Sequence, residues 1–97
     1  MHVVSKRGLL ETASRHADCL GPAVAWFHVA RRARWLVLES VRRDFPAADQ
    51  VGHVLIFNLR GNRYRLVTRV SYRSQRIYVK ALLTHAEYDR KEWMKWA

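Results

Sequence analysis

The sequence predicts an α/β protein of the α+β kind, in which N-terminal helices pack on a small, mainly antiparallel sheet and a short C-terminal helix closes the chain. Three patterns predict it. Up to Phe45 the apolar residues recur at helical spacing, and from Val54 to Leu83 they alternate as strand residues do. Thr84-His85-Ala86-Glu87 then has the form of a capping box, which starts a helix. With 97 residues the chain can bury one modest core, so residues 1–97 are expected to form a single domain.

Met1 to Val4 could add an edge strand. Ser5 offers an N-cap to a first amphipathic helix running from residue 6 to about residue 18, with Leu9, Leu10, Ala13 and Ala17 on its apolar side. Gly21-Pro22 ends that helix and places a proline at the start of the next, where its missing N–H costs nothing. Ala23, Trp26, Phe27, Ala30 and Ala33 form the packing stripe of this second helix, while Arg31, Arg32 and Arg34 reach for solvent. Leu38, Val41 and Phe45 mark a third, short helix that stops before Pro46, with Trp35 at the joint. Pro46 to Gly52 reads as a loop inside the domain.

Val54 to Asn58 begins the sheet, with Leu55 and Phe57 on one face and Val54, Ile56 and Asn58 on the other. Gly61-Asn62 is a hairpin signal, and the register it implies sets Asn58 opposite Arg65, Phe57 opposite Leu66 and Leu55 opposite Thr68. In the next strand Tyr64, Leu66, Thr68, Val70 and Tyr72 share the core face, and Arg63, Arg65, Val67, Arg69, Ser71 and Arg73 share the other. From Arg76 the alternation repeats, with Ile77, Val79, Ala81 and Leu83 inward and Arg76, Tyr78, Lys80 and Leu82 outward. A second hairpin through Arg73-Ser74-Gln75 brings the two basic faces to one side of the sheet.

That cationic surface suits the overall charge. Eighteen Lys and Arg against eight Asp and Glu give a net charge of +10, which points to a polyanionic partner, most simply nucleic acid. A solvated strand face usually mixes Lys, Glu, Thr and Ser. Arg63, Arg65, Arg69, Arg73, Arg76 and Lys80 include no acidic residue, which favours binding. Tyr78 and Tyr88 are the aromatic residues placed to stack on an unpaired base within it. Cys19 is the sole cysteine, and His2, His16, His28 and His53 show no ligand spacing, so neither a disulfide framework nor a metal or other cofactor is expected. With no signal-peptide h-region and no run of transmembrane length, the chain reads as a cytoplasmic protein.

The capping box fixes where His85 stands. Tyr88 and Asp89 follow it at helical i+3 and i+4 spacing, so the three side chains project from one surface, and a helix N-terminus favours a nearby phosphate. Trp93, Met94 and Trp96 would dock the remainder of this helix on the sheet or on a partner.

Phe57-Asn58-Leu59-Arg60-Gly61-Asn62-Arg63-Tyr64-Arg65-Leu66, followed by Thr84-His85-Ala86-Glu87-Tyr88-Asp89, closely resembles the signature of HigB-type toxins of type II toxin–antitoxin systems, within the RelE-like superfamily. The likeness extends back through Trp26, Trp35 and Phe45-Pro46-Ala47-Ala48-Asp49. It implies helices packed on a twisted, mainly antiparallel sheet. It also implies an mRNA interferase, generally cutting codons in the ribosomal A site and held inactive by a cognate antitoxin, here expected to be a helix-turn-helix DNA-binding protein. Cleavage by transesterification needs a base for the ribose 2′-OH, a cation for the phosphorane and an acid for the 5′-oxygen, but no metal. The resemblance assigns the phosphate-stabilising role to Arg65 of Tyr64-Arg65-Leu66 and the role of the C-terminal active-site tyrosine to Tyr88. His85, oriented by Asp89, is the acid/base candidate. Asn58, Asn62, Arg63 and Lys80 would position phosphates or bases, with Arg69, Arg73, Arg76 and Tyr78 extending the surface. Two other readings use the same face: a non-catalytic RNA-binding module, and a basic subunit that pairs with an acidic protein.

Overall fold

The first half of the chain is helical because its apolar residues fall every three to four positions. In the computed structural model, which describes all of residues 1–97, β1 (His2–Val4) leads into α1 (Lys6–Ser14), α2 (Leu20–Arg32) and α3 (Leu38–Asp44). Leu9 and Ala13 of α1 and Ala23, Trp26, Phe27 and Ala30 of α2 are the buried residues, which are the predicted stripes without Leu10 and the helix ends. α1 stops at Ser14, short of the expected end near residue 18, because hydrogen bonds from Arg15 to Thr12, His16 to Ala13 and Cys19 to His16 turn the chain before α2. Ser5 does precede α1, but its backbone is left-handed (φ 74°) and its side chain makes no cap; its carbonyl accepts from the Leu9 N–H instead. Trp35 is sealed at the joint between α2 and α3, and its Nε1 donates to Asp44 Oδ2 at 2.9 Å.

The second half adds four strands to β1 to make a five-stranded sheet in the order β1-β5-β4-β3-β2, with β2 at Asp49–Val51, β3 at Val54–Leu59, β4 at Tyr64–Ser71 and β5 at Arg76–Thr84. Only β1 is parallel to its neighbour. β2 falls in the stretch expected to be a loop. Three residues are too few to show alternation, and it is the left-handed Gly52 (φ 57°) that folds Val51 back onto Val54. The β3–β4 register is the predicted one, with Asn58 opposite Arg65, Phe57 opposite Leu66 and Leu55 opposite Thr68.

A β-bulge corrects the reading of β5. Val67 lies opposite Ala81 and Thr68 opposite Val79, so Lys80 has no partner and the inward and outward positions exchange beyond it. Ile77 and Val79 pack towards the helices as expected, but past the bulge Leu82 takes that side, while Ala81 and Leu83 pack on the other. A strict period of two cannot anticipate an inserted residue.

The helix side of the sheet carries the main core, where Leu55, Phe57, Leu66, Ile77 and Leu82 meet the helices. Phe57 is its centre, with ring centroids 5.3 Å from Trp26, 5.2 Å from Phe45 and 5.8 Å from Trp35. Burying each such side chain contributes about 1.5–3 kcal/mol before chain entropy is set against it. Thr68 is the one polar residue sealed within the sheet, and its Oγ1 donates to the Leu55 carbonyl at 2.6 Å. On the opposite face Val54, Ile56 and Val67 are also buried, and their cover comes from the end of the chain. α4 (His85–Asp89) is short; a left-handed Lys91 (φ 60°) breaks it from a 3-10 helix at Glu92–Trp96, which sets Trp93 over those three side chains. The expected single C-terminal helix is thus two pieces, with Trp93 docked on the sheet and Met94 exposed. No helix is long and apolar enough to cross a membrane.

Candidate active site

Thr84, the last residue of β5, is also the N-cap of α4. Its Oγ1 accepts from the Glu87 N–H at 3.3 Å and its own N–H donates to Glu87 Oε1 at 2.9 Å, which is the predicted capping box. The Thr84 N–H holds the Glu87 carboxyl below its ordinary pKa. With the helix start pinned, His85 and Asp89 come together one turn apart, Nδ1 to Oδ2 at 3.1 Å. That contact leaves Nε2 as the ring nitrogen available to a ligand.

Tyr88 lies between the helix and the sheet. Its ring is parallel to that of Trp93 within 4°, with centroids 5.1 Å apart, and the Trp93 Nε1 donates to the Tyr88 carbonyl at 3.0 Å. The Arg65 guanidinium lies 5.4 Å from the Tyr88 ring centre, within cation–π range. Partial burial pushes the Tyr88 hydroxyl up in pKa, outweighing the downward pull of Arg65, so the phenol stays protonated at neutral pH.

Arg65 itself is held from the β3–β4 turn. Its Nη1 donates to the Asn62 carbonyl at 3.0 Å and to the Tyr64 carbonyl at 3.4 Å, and its Nη2 donates to Asn62 Oδ1 at 3.3 Å. Asn58 Nδ2 donates to the same Asn62 oxygen at 3.3 Å. Of the five N–H donors of a guanidinium, Nε and one on Nη2 remain for an anion. Asn58, Asn62, Arg65 and Tyr88 are therefore one constellation, and His85 and Asp89 lie on the same short helix as Tyr88. No hydrogen bond links His85 to Arg65. With five residues α4 has a small dipole, so its start adds little beside the full charge of Arg65.

Other predicted residues lie elsewhere. Arg63 belongs to the turn, not to the strand alternation, and its Nη1 meets Asp18 Oδ2 at 2.9 Å. Lys80 stands at the bulge beside Ser5, Gly8 and Thr12 of the α1 region, off the Arg65 face. Val67, expected on the basic face between Arg65 and Arg69, is buried there under Trp93 and separates the two arginines. Beyond that block Arg69 and Tyr78, opposite each other on β4 and β5, line an open groove of about 440 Å³ with Arg73, His53 and Gln50. Arg76 follows on β5, opposite Ser71. Nowhere do three His, Cys, Asp or Glu side chains gather as they would around a metal ion.

Two residues of this neighbourhood escaped the reading of the sequence as site residues. Trp93 was expected only to dock; its stacking on Tyr88 could have been suspected from two aromatic residues flanking one helix end. Asp18 has no signal at all, since it is some forty residues from the arginines and the tyrosine it meets.

Residues 20–91 match the family HigB_toxin, described as the RelE-like toxic component of a toxin-antitoxin system. Over 92 residues the chain is 28% identical to the mRNA interferase toxin HigB of Escherichia coli (strain K12), an alignment covering 92% of this chain and 88% of that protein. The mRNA interferase HigB of Escherichia coli O157:H7 aligns with the same figures, and that of Escherichia coli O6:H1 is 25% identical over 93 residues, covering 93% and 90%. The family match takes in Asn58, Asn62, Arg65, His85, Tyr88 and Asp89 and leaves Asp18 and Trp93 outside it. A strand-borne arginine facing a tyrosine behind a capped helix start thus lies within the matched region, and the chain belongs to the HigB family of RelE-like toxins.

Proposed function

We propose that residues 1–97 form one toxin domain that cleaves mRNA, as the names of the HigB relatives state for those proteins, by metal-independent transesterification. The observation that carries this reading is Arg65, clamped by Asn62 and set against the protonated Tyr88. In the reaction the ribose 2′-oxygen loses its proton and attacks the neighbouring phosphorus. The P–O5′ bond breaks, and the products are a 2′,3′-cyclic phosphate and a 5′-hydroxyl. The free N–H groups of Arg65 stabilise the phosphorane charge. His85, with Asp89 on its Nδ1, takes the 2′-OH proton at Nε2 and returns a proton to the departing 5′-oxygen. Tyr88 donates from its hydroxyl or stacks on a base. Asn58 and Asn62 orient Arg65 and the substrate.

Arg69, Arg73, Arg76 and Tyr78, beyond Trp93, hold RNA flanking the cut. Arg63 and Lys80 point elsewhere and drop out of the contact set. The setting is the cytoplasm, with mRNA in the ribosomal A site as substrate and a cognate helix-turn-helix antitoxin as inhibitor. A non-catalytic RNA-binding module would use the same basic face but leaves the Arg65, Tyr88 and His85 arrangement without a task.

The test is cleavage of a free RNA in EDTA, and of mRNA on ribosomes kept intact under metal depletion, with the ends mapped chemically. Cyclic phosphate and 5′-hydroxyl ends are expected, lost in Arg65→Ala and His85→Ala. Ends bearing a 5′-phosphate, or a strict need for a protein-bound metal, would overturn the scheme.

A further inference from the structure

We propose that Asp18 is a positioning residue of this site, tying the β3–β4 turn to the segment between α1 and α2 so that Asn62 stays where it clamps Arg65. The proposal rests on the reading of Arg65 given above.

The tie reaches both ends of the turn. Asp18 Oδ1 accepts from the Tyr64 hydroxyl at 2.7 Å, and Oδ2 meets Arg63 Nη1 at 2.9 Å and Arg60 Nε at 3.4 Å. Its backbone carbonyl accepts in addition from Arg60 Nη1 at 3.3 Å. The anchor is firm, because Cys19 beside it is fully buried at the start of α2, and the His16 ring lies 5.0 Å from that of Tyr64.

The turn that the anchor holds has an uncommon backbone. Arg60 (φ 51°) and Gly61 (φ 63°) are both left-handed, a backbone that an arginine adopts only when its surroundings require it. The turn's own closing hydrogen bond, from the Arg63 N–H to the Arg60 carbonyl, is long at 3.3 Å. Asn62 lies between those two arginines and supplies two of the three acceptors on Arg65. With Asp18 gone, two cations would repel each other across the turn, and its backbone would be held only by the Arg63 to Arg60 bond and the bonds that Asn62 makes with Arg65 and Asn58. The hydrogen bond from Tyr64, with the Arg63 and Arg60 charges, keeps the Asp18 carboxyl below its ordinary pKa, so it is ionised at neutral pH.

A carboxylate in this place has two opposed effects, and that gives the test its edge. It orders Arg65 for the chemical step, and it withholds Arg60 and Arg63 from RNA. Asp18→Ala is therefore expected to lower the single-turnover cleavage rate at saturating protein on the order of ten- to a hundredfold, the loss that a misplacement near 1 Å produces. Binding of the same RNA, measured on an Arg65→Ala background, should tighten with Asp18→Ala, and its log–log salt slope should steepen by roughly 1.4, about 0.7 for each freed arginine on a single strand. Asp18→Asn, which keeps an acceptor for Tyr64, should fall between and serves if the alanine variant does not fold. Since Asp18 acts through Arg65, adding Asp18→Ala to Arg65→Ala should reduce the rate no further than Arg65→Ala alone.

A purely structural ion pair predicts the contrary: a lower Tm, losses that multiply in the double variant, and no gain in RNA affinity. That pattern overturns the proposal. If Arg65→Ala cripples cleavage while both Asp18 variants cleave like the parent, the Asp18 proposal fails and the site stands. Should Arg65→Ala itself cleave normally, both fail.

Discussion

On the helix side of the sheet, Leu55, Phe57, Leu66 and Ile77 are sealed beneath the helices with Trp26 and Trp35. On the other side only Val54, Ile56 and Val67 are sealed, under Trp93, and charged side chains stand at both ends of that small block. The same strands build both faces, so alternate residues along β4 answer to different demands. Leu66 serves packing, and its neighbour Arg65, half-buried against Tyr88, faces the candidate site. Trp93 belongs to both, since it covers the small core and stacks on Tyr88 of the candidate site. A face that is only half covered can keep a rigid floor and still admit a polyanion.

The sharpest way to break this comparison is to change residues that lie on the open face alone. His85→Ala is expected to lower the cleavage rate by roughly a hundred- to ten-thousandfold, and Arg65→Ala by about a hundred- to a thousandfold. Thermal melts of both should match the parent, because His85 is exposed and neither side chain fills the main core. Rate losses explained by melting would show that the two faces are not separable.

Leu66→Ala sharpens the other half. It removes a fully buried side chain from the main core and should destabilise by about 2–5 kcal/mol, read from urea unfolding, with the rate per folded molecule kept. Trp93→Ala should cost about 3–5 kcal/mol and, unlike Leu66→Ala, should also slow cleavage, since Tyr88 loses its stacking partner. A Trp93→Ala protein that is destabilised yet fully active would confine the tryptophan to packing.

Smaller effects are expected at the far end of the basic face. Arg69→Ala and Arg73→Ala should each weaken RNA binding across sequences and reduce the salt slope by about 0.7 per lost phosphate contact. An unaltered slope would take the groove between Arg69 and Tyr78 out of the binding surface.

The smallest effect concerns the capping box. Glu87 has a folded pKa below its ordinary value, so its contribution to stability is present above the unfolded pKa and is lost as pH falls through the folded one. The Tm gap between the parent and Glu87→Gln should accordingly be open at pH 7 and close as the pH drops below about 4. A gap that stays constant into acid would mean that the box works through the Thr84 hydroxyl alone.

Much of this could be read from the chain, and the parts that could are the local ones. The stripe Ala23, Trp26, Phe27 and Ala30 shows its helix by spacing, the register Phe57 to Leu66 follows from one hairpin signal and matched alternation, and Thr84 with Glu87 declares a helix start within four residues. The same locality made Arg65, His85, Tyr88 and Asp89 visible as candidates. What the sequence could not decide depends on contacts between distant segments. The bulge at Lys80 reverses a strand face because one inserted residue shifts a period of two. Trp93 separates Arg65 from Arg69 because the chain end folds back over Val67. Arg63 leaves the basic face because Asp18, from the segment before α2, draws it away. Alternation and capping act over a few bonds of backbone and leave their mark in residue order; ion pairs and packing act through space, so only the tertiary structure decides which of eighteen basic side chains are free to meet RNA.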